Sequence, residues 1–140
     1  VPCHFDSYGF NLIAQLHGRK RWLLFPPGDA SGLMSPTRVP YEESSVFSKL
    51  SSRELESVPG GLAVTLEEGD LLFVPNKWWH HVSALSTSIS VNTWVHLPST
   101  DAYERVKEGL TRTLLCALLP PPPPNTPSLP GEITPGLGGE

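Results

Sequence analysis

The tripeptide "HFD" at residues 4–6 and the hexapeptide "KWWHHV" at residues 77–82 hold the residues best suited to chemistry. On an extended strand, residues two apart project from one face, about 7 Å apart by strand rise. His4 and Asp6 can therefore turn an imidazole and a carboxylate toward one ion. A third ligand must come from another strand, and His80 or His81 could supply it. Two histidines and one carboxylate leave coordination positions open, which is the ligand set of non-haem Fe(II) oxygenases. A structural zinc site would want four closed ligands, usually with thiolates. Cys3 adjoins His4 but points to the opposite face of a strand, so it is a poor ligand. The plainer reading is that the spacing is fortuitous and each histidine a satisfied polar residue.

Two further patterns bear on the choice. In "KRWLLF", Lys20 shares a face with Trp22 and Leu24. An inward lysine among large apolar groups is unusual unless it is paired, and it would suit the far carboxylate of an oxo acid. The competing reading is a surface lysine in the basic turn "GRKR". In "SISVNTWV", Ser90, Asn92 and Trp94 share one face, while Ile89, Val91, Thr93 and Val95 share the other. That strand is either half exposed or the lining of a polar pocket. Periodicity does not separate the two.

These residues need a scaffold of strands. "NLIAQL" and "KRWLLF", joined by a glycine turn, predict a hairpin. "PPGDASG" ends it, and a long irregular connection follows, with one or two helical turns around Ser51–Ser57. Strands resume at "LAVTL", "LLFVP", "WWHHVSAL" and "SISVNTWVHL". With "HFD" the count is seven, which argues for a sandwich or small barrel. Then the period changes. Tyr103, Val106, Leu110, Leu114 and Ala117 recur at helical spacing, with Asp101 as the expected N-cap and Glu104 in capping-box position. This amphipathic helix is expected to pack on the barrel or on a second copy of itself. Five successive prolines from Pro120 stop it. The segment 120–140 carries eight of the sixteen prolines and is expected to be a disordered, passive tail.

Composition narrows the classes. The chain has 140 residues, 10 Lys and Arg against 14 Asp and Glu, and a net charge of −4. There is no basic stripe, so DNA is not an expected partner. Two cysteines without CxxC spacing make no disulfide framework, and both are expected to be buried thiols in a reducing compartment. No apolar run approaches the ~20 residues of a membrane helix, and no signal-peptide pattern is present. The expectation is a soluble cytoplasmic protein, with the nucleus left open.

Taken together, "PCHFD", "GRKRWLLFPP", "EEGDLLFVPNKWWHHV" and "SISVNTWV" resemble the JmjC domain, in particular its hydroxylase-type branch. With "DSYGFNL" and "PTRVPYEESSVFSK" added, the likeness is greatest to a member described as associating with a small heat-shock protein. The resemblance runs from Val1 to about Leu97. It implies an all-β core, a double-stranded β-helix of jelly-roll, cupin-like type over residues 1–98, followed by a C-terminal helix over 99–119. It implies Fe(II), 2-oxoglutarate and oxygen used to hydroxylate a substrate, most naturally a protein. His4, Asp6 and His80 would be the iron ligands, the family pattern selecting the histidine that directly follows the tryptophan pair. Lys20 would bind the distal carboxylate of 2-oxoglutarate. Asn11 and Asn92 would hydrogen-bond near the metal and cosubstrate, and Trp94 would wall the pocket. A small heat-shock protein is the implied partner, and the alternative function is an interaction module with little catalysis. Two departures stand out: Val1 occupies a place where relatives have threonine, and the family's upstream strands and cosubstrate-binding tyrosine have no counterpart here. The expectation is thus a truncated β-helix lacking its first strand, with one unpaired sheet edge and low turnover.

Overall fold

Alternation of apolar and polar residues builds most of the molecule. The computed structural model describes residues 1–28 and 45–119. In chain order these form β1 (His4–Asp6), β2 (Phe10–His17), β3 (Lys20–Phe25), β4 (Ser45–Phe47), α1 (Ser52–Leu55), β5 (Leu62–Leu66), β6 (Leu71–Val74), β7 (Trp79–Ala84), β8 (Ile89–Val95) and α2 (Pro98–Leu118). The strands make two antiparallel sheets, one ordered β4-β1-β7-β3-β5 and one ordered β6-β2-β8. The all-β core is as the sequence predicts. The expected disordered tail and the first part of the irregular connection, up to residue 44, lie outside the described residues.

Several expectations need correction. The described residues hold eight strands, not seven. The extra one, β4, is three residues in a polar stretch, too short to show a period, and it exists because β1 pairs with it. The predicted hairpin does not form. β2 pairs with β6 and β8, whereas β3 pairs with β5 and β7, so the chain crosses from one sheet to the other at the glycine turn. Alternation reports which face a residue takes, not which strand lies beside it. Gly18 turns this corner at φ +66°, a conformation that costs glycine little. The buried Gln15 side chain braces it by donating to the carbonyls of His17 and Gly18 at 2.7 and 3.1 Å.

Two apolar clusters result. Ile13, Trp22, Leu24, Leu66 and Val74 fill the space between the sheets. Cys3, Leu23, Phe25, Val46, Leu55 and Trp79 lie on the other side of the larger sheet, beneath α1. Cys3 thus points away from His4, and burial pushes its thiol up to about 12, which makes it a poor nucleophile. Cys116, expected to be buried, is exposed on α2.

The helix also differs from expectation. Pro98 starts it four residues ahead of the start an Asp101 cap would set, its fixed φ suiting a first helical position. Leu97, not Asp101, is the N-cap, and there is no capping box at this end. Asp101 and Glu104 are buried and attach the helix to the barrel. The stripe Tyr103, Val106, Leu110 and Leu114 instead faces out, each residue about 60% exposed (62, 59, 61 and 59%). The apolar stripe therefore does not pack on the barrel. No described helix is long and apolar enough to cross a membrane.

Candidate metal centre

β1 presents His4 and Asp6 on one side, and β7 runs beside it with His80 directly opposite His4. The two imidazole centroids are 4.2 Å apart. One possible ligand atom from each of His4, Asp6 and His80 lies within 4.8 Å of the others, close enough for a single ion to gather all three. His4 Nδ1 lies 2.9 Å from the Pro2 carbonyl, and His80 Nδ1 lies 3.0 Å from that of Trp78. A carbonyl only accepts, so each Nδ1 carries the proton and each Nε2 keeps a lone pair. That is the outer-shell arrangement metal-binding histidines use. Burial pushes the His80 pKa down, and the adjacent His4 adds to this, keeping the imidazole neutral. His81 takes the opposite face. It sits beside Leu23 in the β3–β7 ladder, with Nε2 3.1 Å from Ser83 Oγ, and stands outside the trio.

Asp6 has its two oxygens in different surroundings. Oδ1 accepts from Ser45 Oγ at 3.1 Å and lies 3.8 Å from His4 Nε2, while Oδ2 accepts the Trp94 indole N–H at 3.1 Å. Cavities flank the carboxylate. One of about 10 Å³, room for a single ion or water, touches Asp6, Asn11, Trp78 and His80. The other, about 240 Å³, is walled by Tyr8, Ser45, Trp94 and His96.

Lys20 is not a surface-turn residue: its amine crosses between the sheets to donate to Ser90 Oγ. Arg21, on the alternate face, pairs outward with Glu56. Along β3 the inward positions run Leu24, Trp22, Lys20, and Leu24 pairs with His80. Trp22 thus stands between the trio and the lysine. Its Nε1 and Asn11 Oδ1 are buried without a hydrogen-bond partner among the described residues. Orphaned polar groups of this kind call for an occupant: an oxo acid can accept from the Trp22 indole N–H, whereas Asn11 Oδ1 needs a donor such as water. Asn92 lies on the same face, opposite Ile13, but is exposed and lines neither cavity. Trp94 is 55% exposed, bound to Asp6 rather than facing the lysine. Ser45, Tyr8 and Trp22 carry no sequence signal that would have selected them.

The turns around the trio are held by α2. Gly9, at φ +57°, donates its N–H to Asp101 Oδ1 at 2.8 Å, and its carbonyl accepts from Asn76 Nδ2 at 2.6 Å. A β-carbon at Gly9 would run into the Val95 carbonyl. Lys77, itself at φ +59°, pairs with Glu104 at 2.7 Å.

Residues 1–101 match the cupin-like domain family. The chain belongs to the cupin-like JmjC family. Among relatives of this JmjC domain, it is 50% identical over 126 residues to human HSPB1-associated protein 1, covering 84% of the chain and 25% of that protein. It is 37% identical over 101 residues to the human 2-oxoglutarate and iron-dependent oxygenase JMJD4, covering 68% of the chain and 24% of that protein. The chain thus spans about a quarter of the length of the curated relatives it matches. Among solved structures, E. coli ycfD superposes with a TM-score of 0.48 at 20% identity, over 96% of the chain and 33% of ycfD.

Proposed function

We propose that this chain carries the core of an Fe(II)- and 2-oxoglutarate-dependent dioxygenase that hydroxylates a protein substrate. The observation that carries the reading is the trio itself: two histidines with Nδ1 tied to carbonyls, and with a ligand atom from each of them and from Asp6 within 4.8 Å of the others. In this reading His4, Asp6 and His80 hold the iron through three positions and leave the rest to cosubstrate and oxygen. Iron, when bound, supplies the centre at which oxygen is activated as 2-oxoglutarate is decarboxylated. The chain's own residues bind and orient. Lys20 neutralises the distal carboxylate of 2-oxoglutarate, Asn11 and Trp22 offer polar atoms along its length, and Asn92 flanks the open side. The cluster of Ile13, Leu66 and Val74 keeps water from the inner end. The test is 2-oxoglutarate consumption by the purified chain with added Fe(II), with and without candidate protein substrates. Consumption that depends on His80 supports the reading, and its absence at saturating iron counts against it.

Lys20→Ala sharpens that test. A hydrogen bond to a charged group is worth about 1.5–3 kcal/mol, so the apparent KM for 2-oxoglutarate should rise roughly ten- to a hundred-fold while iron affinity holds. An unchanged KM returns Lys20 to a structural bond with Ser90.

A second reading is a binding module for a small heat-shock protein, with little or no turnover. It is favoured by the name of the relative at 50% identity, HSPB1-associated protein 1, and by the apolar stripe of α2. The same stripe could instead pair with a second copy of the chain. Leu110→Asp should then turn a dimer into a monomer in light scattering, with unchanged circular dichroism. A wild-type monomer that retains the small heat-shock protein would favour the module.

A further inference from the structure

We infer that Trp94 is a positioning residue that holds the Asp6 carboxylate to one-oxygen coordination at the metal centre. The inference rests on the metal reading above. An indole N–H can only donate, and Trp94 gives its proton to Asp6 Oδ2 at 3.1 Å. Asp6 Oδ1 is the oxygen that faces His4 Nε2, at 3.8 Å. The carboxylate plane is thereby fixed, with Oδ1 toward the trio and Oδ2 engaged elsewhere. A carboxylate free to pivot can chelate through both oxygens and take up a position that cosubstrate or oxygen needs. One pinned by an indole offers a single oxygen. Ser45 Oγ supports the same pose from the opposite strand, at 3.1 Å from Oδ1.

The same indole has a second face to present. Trp94 is 55% exposed and lines the cavity of about 240 Å³ together with Asp6, Tyr8 and His96. It stands on β8, an edge strand of the smaller sheet, while Asp6 belongs to the larger one. The hydrogen bond therefore ties the two sheets together beside the trio. Asp6 lines the same cavity, so whatever enters it meets both the metal carboxylate and the ring whose N–H orients it.

The test separates the N–H from the ring. Benzothienylalanine at position 94 keeps the bicyclic shape and replaces the N–H with sulfur; Trp94→Phe removes both N–H and bulk. Mn(II) affinity and the visible spectrum of the Co(II) form are measured for the full chain and both variants, with circular dichroism confirming the fold. Loss of an outer-shell partner costs about ten- to a hundred-fold in metal affinity. Both variants should show that loss, along with a Co(II) spectrum changed in intensity as the carboxylate takes up a second contact. Equal or tighter Mn(II) binding and an unchanged spectrum in the benzothienyl variant would overturn the inference. So would a loss seen only in Trp94→Phe, which marks a packing role for the ring. A wild-type chain that takes up neither Mn(II) nor Co(II) would instead overturn the metal reading itself.

Discussion

His80→Ala abolishes metal uptake while His81→Ala leaves it about unchanged: this is the largest difference expected between neighbouring substitutions in this chain. His80 supplies a buried, neutral imidazole whose Nδ1 is tied to the Trp78 carbonyl, leaving Nε2 for the ion. Without it, His4 and Asp6 remain as a two-ligand site on a three-residue strand. Its loss should exceed the ten- to hundred-fold that an outer-shell partner costs. His81 points the other way, toward Ser83, and its removal should appear in stability alone, at about 1 kcal/mol as for a typical substitution. Titration with Mn(II), followed by electron paramagnetic resonance, reads the first effect, and urea unfolding reads the second. Equal losses of affinity would mean that both imidazoles serve the ion and that the alternation of β7 does not sort them.

Asp101→Ala should cost about 3–6 kcal/mol of stability, the scale of losing two charge-assisted hydrogen bonds to backbone N–H groups. Its carboxylate accepts from Gly9 N at 2.8 Å and from Leu97 N at 2.9 Å, with His96 Nδ1 at 3.2 Å. Desolvation works to raise its pKa, but these bonds from Gly9, Leu97 and His96 outweigh it and hold the value below the ordinary carboxylate range. A carboxylate depressed in the folded state contributes its full stability above its unfolded pKa of about 3.9. That contribution drains away as pH falls through the lower folded value. The gap between wild type and Asp101→Ala in urea midpoint should therefore be constant near neutrality and close at acid pH below about 4. A gap that stays open under acid would place the stabilising role outside the ionised carboxylate.

How much of this was legible depends on the range of the interaction. The period-2 spacing of His4 and Asp6, and the opposite faces of His80 and His81, follow from strand geometry and stand as expected. So does the helical turn near Ser51, where a Ser51–Glu54 capping box holds α1. Strand partners were not legible: "NLIAQL" and "KRWLLF" alternate correctly, yet the neighbours they take on one side lie 38 to 63 residues away in the chain. Asp101 and Glu104 look like a local cap because local spacing is all a sequence displays. Their partners, Gly9 and Lys77, are brought there only by the long-range pairing of the strands. The Trp94–Asp6 bond spans 88 positions and has no local signature at all.

Gly9 illustrates a wider consequence. It has no side chain and no chemistry, yet its N–H, its carbonyl and the space where a β-carbon would stand belong to three different segments of the chain. A substitution there disconnects the helix, the Asn76 turn and the last strand at a stroke. Intolerance of substitution is therefore expected at such a junction as readily as at a reactive group, and only the direction in which atoms point tells one from the other.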